Sequence, residues 1–190
     1  SVQSPPLSVI AAQTLKPSQN LYTELILRTL GKTFPPTGFP PAPERTSADD
    51  GIEVVKTFLR GAGIEPRGTF VQADGSGLSR HNYITASGTT QLLTYMSTHR
   101  YASAFREALP IAGVDGTLRT RLRGTLAAGN LRAKTGTINA VASLSGYVTS
   151  AAGERLVFSI ILNNYPEESS SRRSHIDAIA LLLASFTGRS

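Results

Sequence analysis

The chain has 190 residues, 40% of them apolar and 17% charged, with a net charge of +6 and a pI near 10.0. That length allows one domain with a sizeable core, and this balance excludes intrinsic disorder. No apolar run approaches the roughly 18 residues a membrane-spanning helix needs, and the absence of cysteine excludes disulfides, thiolate metal sites and cysteine nucleophiles together.

In chain order, Leu21, Tyr22, Leu25, Ile26 and Leu30 fall at helical spacing and predict an amphipathic helix over Ser18 to Lys32, with Ser18 at the N-cap and Gly31 as its stop. Thr33 to Arg45 carries Pro35, Pro36, Pro40, Pro41 and Pro43, too dense for any regular element, and reads as a loop. Thr46, Ser47, Asp49 and Asp50 supply capping oxygens and first-turn carboxylates for a second helix with the apolar face Val54, Val55, Phe58 and Leu59, ended by Gly61 and Gly63. Thr69 to Gln72 reads as a short strand entering the turn Asp74-Gly75-Ser76-Gly77. Ser87 is expected to cap a helix through Tyr95 and Met96, and another covers Ala102 to Leu109.

From Leu131 the periodicity changes. Leu131 to Ile138, Ala140 to Thr149 and Arg155 to Asn164 are three strand-like runs, the last two joined by the turn Ser150-Ala151-Ala152-Gly153, and predict an antiparallel meander. Ser171 to Phe186 then sets Ile176, Ile179, Ala180, Leu183 and Phe186 on one face of a helix packed across that sheet. The class is α+β, with residues 1–130 mainly helical and 131–190 forming sheet and covering helix. A three-stranded meander leaves both edges open and one face uncovered, so further strands or a partner are expected.

Two short strings carry chemistry. Lys134-Thr135-Gly136, followed by Thr137, lies on the first strand of the meander; on its own it reads more readily as an exposed strand end with an ordinary lysine. Ser18-Gln19-Asn20 is the one Ser-x-Asn in the chain and lies upstream of the lysine string, where Ser18 is also satisfied as a helix cap. In this order they match the second and third signatures of the penicilloyl serine transferases. The first, Ser-x-x-Lys, is absent: the residues three before Lys16, Lys32, Lys56 and Lys134 are Gln13, Thr29, Glu53 and Leu131.

The run from Pro5 to Gly31, centred on Lys16-Pro17-Ser18-Gln19-Asn20-Leu21-Tyr22, resembles the Ser-Asp-Asn region of the class C low-molecular-mass penicillin-binding proteins, the D-alanyl-D-alanine carboxypeptidase/endopeptidase family. Asp74-Gly75-Ser76-Gly77-Leu78-Ser79-Arg80-His81-Asn82 and Leu109-Pro110-Ile111-Ala112-Gly113-Val114-Asp115-Gly116-Thr117-Leu118 are similar to two further boxes of that family. Gln19 stands where the family usually has aspartate.

The resemblance implies the penicilloyl-serine-transferase (beta-lactamase-like) fold, with residues 1–190 as the C-terminal portion of one catalytic domain, incomplete without an N-terminal portion that carries Ser-x-x-Lys. It implies a serine-type peptidase of peptidoglycan that forms an acyl-enzyme and is trapped by beta-lactams. Ser18, Asn20 and Lys134 are then the catalytic residues of this piece, and Thr135, Gly136 and Thr137 the substrate-binding ones. The implied partners are that N-terminal portion and peptidoglycan stem peptides, in an extracytoplasmic location. On this reading the chain alone is inactive.

The Asp74 to Ser79 box supplies tight-turn glycines and reads as architectural on its turn chemistry. No cofactor is expected, and no metal, because His81, His99 and His175 lack ligand spacing among themselves or with carboxylates. The alternative is a noncatalytic module derived from the same fold that binds muropeptides or a partner protein. A nucleic-acid-binding domain is suggested by the net charge alone; scattered arginines without interleaved aromatics argue against it.

Overall fold

The computed structural model describes residues 3–37, 44–165 and 169–188. They fall into two compact units: residues up to Ser18 together with those from Leu93 onward, and residues Gln19 to Leu92.

The larger unit opens on a helix that the periodicity did not predict, α1 (Leu7–Leu15). Its start is set by Pro6, whose carbonyl accepts from Val9 N–H at 3.0 Å and Ile10 N–H at 3.2 Å. Lys16 closes it, and Pro17 cannot continue it. Thr14 is buried, with its hydroxyl satisfied at 2.7 Å by Ile10 O.

After helix α5 (Ala102–Ala108) come β3 (Arg132–Ile138), β4 (Val141–Thr149) and β5 (Arg155–Leu162), an antiparallel meander in the order β3-β4-β5, as expected. The register pairs Ala133 with Gly146 and Gly146 with Phe158, then Leu144 with Ile160 and Ala142 with Leu162. Because side chains alternate across a pleated strand, these rows share one face. They form the core with Leu118, Leu131 and the helix α6 (Ser169–Ser185), and each wholly buried leucine or isoleucine contributes roughly 1.5–3 kcal/mol. The opposite face carries Lys134, Ser145 and Ser159 in one row and Arg132, Tyr147 and Val157 in the next.

Two expectations need correction here. The buried row of α6 is Arg172, Ile176, Ala180 and Ala184, at i+4 spacing, while Ile179 and Phe186 are exposed. Small Ala180 and Ala184 suit a close approach to the sheet, which a face built on the larger side chains would prevent. Nor are both sheet edges open along their length. The start of β3 is met by residues 110–112, with Ala133 N–H donating to Pro110 O at 3.0 Å and Ala112 N–H to Leu131 O at 2.9 Å. Lys134 to Ile138 keep a free edge, and β5 has no second strand partner among the described residues.

The smaller unit pairs α2 (Asn20–Thr33) with α3 (Ser47–Gly61). Gly31 does not stop α2, which continues to Thr33; it is a point of close approach, where a Cβ would overlap Ser47 O and Gly51 N of α3. Gly51 is its counterpart, facing Leu27 O of α2. Thr46 and Asp49 form the expected capping box. Strands β1 (Phe70–Val71) and β2 (Tyr83–Ile84) make a short antiparallel pair, the second of them unanticipated. Helix α4 (Ala86–Thr98) has its residues divided between the units, and its first turn is capped by Thr85, whose hydroxyl accepts from Gly88 N–H at 3.0 Å, two residues before the expected Ser87. Of the proline-rich loop, Pro40, Pro41 and Pro43 lie outside the described residues.

Candidate active site

Within the larger unit, Lys134 Nζ donates to Ser18 Oγ at 2.8 Å and to Thr135 O at 2.7 Å. Two residues 116 positions apart, singled out from separate motifs, thus meet at the free edge of β3. Ser18 is not a helix cap. The N-cap of α2 is Gln19, without a side-chain bond, and Ser18 sits just before it in the left-handed region at φ 63°. That conformation is uncommon for any residue but glycine and costs about 1–2 kcal/mol. Asn20 lies two residues on, exposed, as the first residue of α2 in the smaller unit.

Burial in the protein pulls the Lys134 ammonium down from 10.5 to about 8, since desolvation penalises its charged form. The group is therefore mostly cationic near neutrality yet able to give up a proton, and its charge is aimed along the edge of the strand.

Backbone direction can be read from one bond. Ala133 N–H points outward to Pro110 O, and amides of alternate residues in a strand point to the same side, so the N–H groups of Thr135 and Thr137 also face the free edge. Thr137 is exposed there. Thr135 Oγ1 donates to Thr117 Oγ1 at 2.9 Å. Gly136 pairs with Ser143, and a Cβ at 136 would meet the Ser143 hydroxyl, so a side chain there requires that hydroxyl to turn away. The arrangement offers an unpaired strand edge, a cation and a hydroxyl in contact with it. It suits an extended peptide ending in a carboxylate.

A groove of about 550 Å³, lined by Arg106, Arg132, Tyr147 and Arg155 among others, lies apart from this site, and neither Ser18 nor Lys134 lines it. We place no chemistry there, because the functional groups face an open edge.

Sequence reasoning missed the residues that support the pair. Lys16 Nζ lies 2.5 Å from Asp115 Oδ2 and donates to Leu109 O at 3.1 Å, and Thr117 N–H donates to Lys16 O at 3.0 Å. The Asp115-Gly116 dipeptide is a turn signal, but nothing local connects it to Lys16, 99 positions away.

The Asp74 box, in the smaller unit, is built as a self-satisfied loop. Asp74 accepts from Gly77 N–H at 2.8 Å and from Ser79 N–H, Ser76 Oγ and Asn82 Nδ2 at 2.9 Å each. Burial alone would raise its carboxyl, but these four donors outweigh it and hold the group below its ordinary value. Gly75 N–H donates to Glu24 Oε2 at 2.8 Å, tying the loop to α2. Among the described residues, no group of three or more histidines and carboxylates is arranged to hold a metal ion.

Comparison with known proteins accounts for this combination. The family model described as D-Ala-D-Ala carboxypeptidase 3 (S13) matches residues 1–186. A D-alanyl-D-alanine carboxypeptidase of Actinomadura sp. (strain R39) is 37% identical over 187 residues, covering 96% of this chain and 32% of that protein. A penicillin-sensitive carboxypeptidase A of Dictyostelium discoideum is 35% identical, covering 97% and 35%. Penicillin binding protein 4 (dacB) of Haemophilus influenzae, solved in complex with a beta-lactam, superposes with a TM-score of 0.80 at 28% identity over 96% of this chain and 42% of that one. The chain thus spans about a third of the length of the curated relatives it matches. It has the α+β fold of the penicilloyl serine transferases, and it belongs to the D-Ala-D-Ala carboxypeptidase 3 (S13) family.

Proposed function

We propose that these residues form the C-terminal portion of the catalytic domain of a serine-type D-alanyl-D-alanine carboxypeptidase/endopeptidase of peptidoglycan, contributing its Ser-x-Asn and Lys-Thr-Gly elements. The nucleophile belongs to a Ser-x-x-Lys on a segment outside these 190 residues, in the same protein. The observation that carries the reading is the 2.8 Å bond from Lys134 to Ser18.

In the reaction, the nucleophilic serine adds to the carbonyl of the penultimate D-alanine and its proton passes to a neighbouring base. Collapse of the tetrahedral intermediate breaks the peptide bond, and the leaving amine of the terminal D-alanine takes a proton through the Ser18 hydroxyl, which can donate and accept at once. Lys134 suits the supply of that proton, because its ammonium donates to Ser18 and leaves the serine O–H free to point at the amine. The same cation attracts the terminal carboxylate, helped by the hydroxyls of Thr135 and Thr137. The outward N–H of Thr137 is one half of an oxyanion hole, where loss of one donor typically costs about 3 kcal/mol of barrier. Asn20 hydrogen-bonds the substrate's amide carbonyl and helps hold the lysine of Ser-x-x-Lys. Water then hydrolyses the acyl ester, whereas a beta-lactam opens its ring on the same serine and leaves an acyl ester that persists. Peptidoglycan stem peptides as substrate imply an extracytoplasmic site of action.

The test is release of D-alanine from a D-Ala-D-Ala-terminated stem peptide by the full-length protein. Wild type should release it, Ser18→Ala and Lys134→Ala should lose most of the rate, and a full-length wild type without activity or penicillin binding would favour the noncatalytic module instead.

A further inference from the structure

An exposed serine in a left-handed conformation does not stay on a distant strand lysine unaided; its neighbours must impose the position. Ser18 follows Pro17, whose ring fixes the backbone, and Pro17 follows Lys16, which closes α1. Lys16 is held by both of its ends. Its ammonium meets Asp115 Oδ2 at 2.5 Å and Leu109 O at 3.1 Å, and its carbonyl accepts from Thr117 N–H at 3.0 Å.

The turn that grips it is itself fixed. Asp115 Oδ1 accepts from Ile111 N–H at 2.9 Å. Gly116 has φ 55°, and a Cβ there would lie 2.6 Å from Lys16 O, so only glycine lets the turn come this close. Thr117 accepts from Thr135, the residue after Lys134. One turn, Asp115 to Thr117, therefore holds the chain two residues before Ser18 and the strand one residue after Lys134.

We propose that Lys16 and Asp115 form a clasp that sets Ser18 on Lys134, making Lys16 a positioning residue of the reaction that touches no substrate. The inference rests on the reading of Ser18 and Lys134 given above. The side chains of the ion pair are 25% and 34% exposed, so solvent screens part of its attraction, and its effect on the reaction is geometric. Arginine at position 16 can still reach Asp115 with its fork of donors, whereas methionine keeps only the stem.

The experiment uses the full-length protein and a fluorescent penicillin, separating noncovalent binding from the acylation rate constant, with melting temperature measured in parallel. Lys16→Met and Asp115→Asn should each lower the acylation rate constant about tenfold to a hundredfold, with binding and melting little changed. Lys16→Arg should recover most of the loss, and the Lys16→Met/Asp115→Asn double variant should be no slower than either single one. If Lys16→Met does not fold, Asp115→Asn carries the test, because its side-chain oxygen still accepts from Ile111 N–H. Wild-type acylation in Lys16→Met and Asp115→Asn, or a loss that follows melting with no recovery in Lys16→Arg, overturns the clasp. A wild type that is not acylated, or a Lys134→Ala variant as fast as wild type, refutes the underlying reading and the clasp with it.

Discussion

The charge state of Lys134 offers the sharpest handle on the mechanism. Burial lowers its ammonium from 10.5 to about 8, and both of its proposed tasks, attracting the substrate carboxylate and passing a proton through Ser18, need the protonated form. The second-order acylation rate, which reports the free enzyme, should therefore fall above pH 8, and by pH 9 only about a tenth of the molecules keep the proton, giving about a tenfold loss. An ordinary lysine would lose only about 3% at that pH. The assay is acylation of the full-length protein by a fluorescent penicillin between pH 6 and 10, with Lys134→Arg beside it, whose guanidinium stays charged and should show no alkaline limb near pH 8. A wild-type rate that is flat to pH 10 would refute both the desolvation argument and the role of the cation. Linkage gives an independent check. The folded value lies below the unfolded one, so the folded state holds fewer protons between pH 8 and 10.5. Stability should rise with pH across that window, and Lys134→Met should stabilise the protein while abolishing its chemistry.

Three further outcomes follow from packing and hydrogen bonding. Gly51→Ala gains about 1 kcal/mol of helix propensity but drives a Cβ into Leu27 O, and the overlap should win, with a net loss of roughly 1–3 kcal/mol in thermal melting; Gly61→Ala, whose Cβ meets nothing within 4 Å, should be neutral or stabilising, and equal melting of the two would refute the close approach. Asp74→Ala removes the acceptor of four bonds and should cost about 1–3 kcal/mol, opening the loop to limited proteolysis; because the folded carboxyl lies below 3.8, its contribution is present above that pH and lost as pH falls through the lowered value, so an acid unfolding profile unchanged by the substitution would contradict it. Tyr147→Phe deletes a 2.7 Å bond to Leu93 O and should cost about 1 kcal/mol, while a spectrophotometric titration of wild type should show one tyrosine pushed up to about 12 by burial, a late step that the variant must lack.

Much of this architecture was legible because its signals are local. Strand β4 alternates with period two, β5 is a short apolar run bounded by turn residues, and Thr46 with Asp49 is a cap readable from four residues. The failures have physical causes as well. Leu7 to Leu15 is apolar on nearly every side, so it lacks the amphipathic contrast that marks a helix, and its start depends on a proline carbonyl. Ser18 looked like a cap because serine before a helix usually is one; its hydroxyl is engaged instead by a lysine 116 positions away. Gly31 looked like a stop because glycine ends helices, yet here it admits a neighbouring helix backbone. Ser18, Asn20 and Lys134 were singled out from the order of two motifs along the chain and from the family resemblance, and the structure brings Ser18 and Lys134 together. Lys16, Asp115 and Thr117 were not, because a clasp between residues 99 positions apart leaves no periodic trace.

The most direct test of the account is to label the full-length protein with a fluorescent penicillin, digest it, and identify the acylated residue by mass spectrometry. The account predicts one labelled serine, outside these 190 residues and followed three positions later by lysine, with labelling greatly slowed in Lys134→Ala. Absence of label on the folded full-length protein, or label on a serine within these residues, would contradict it.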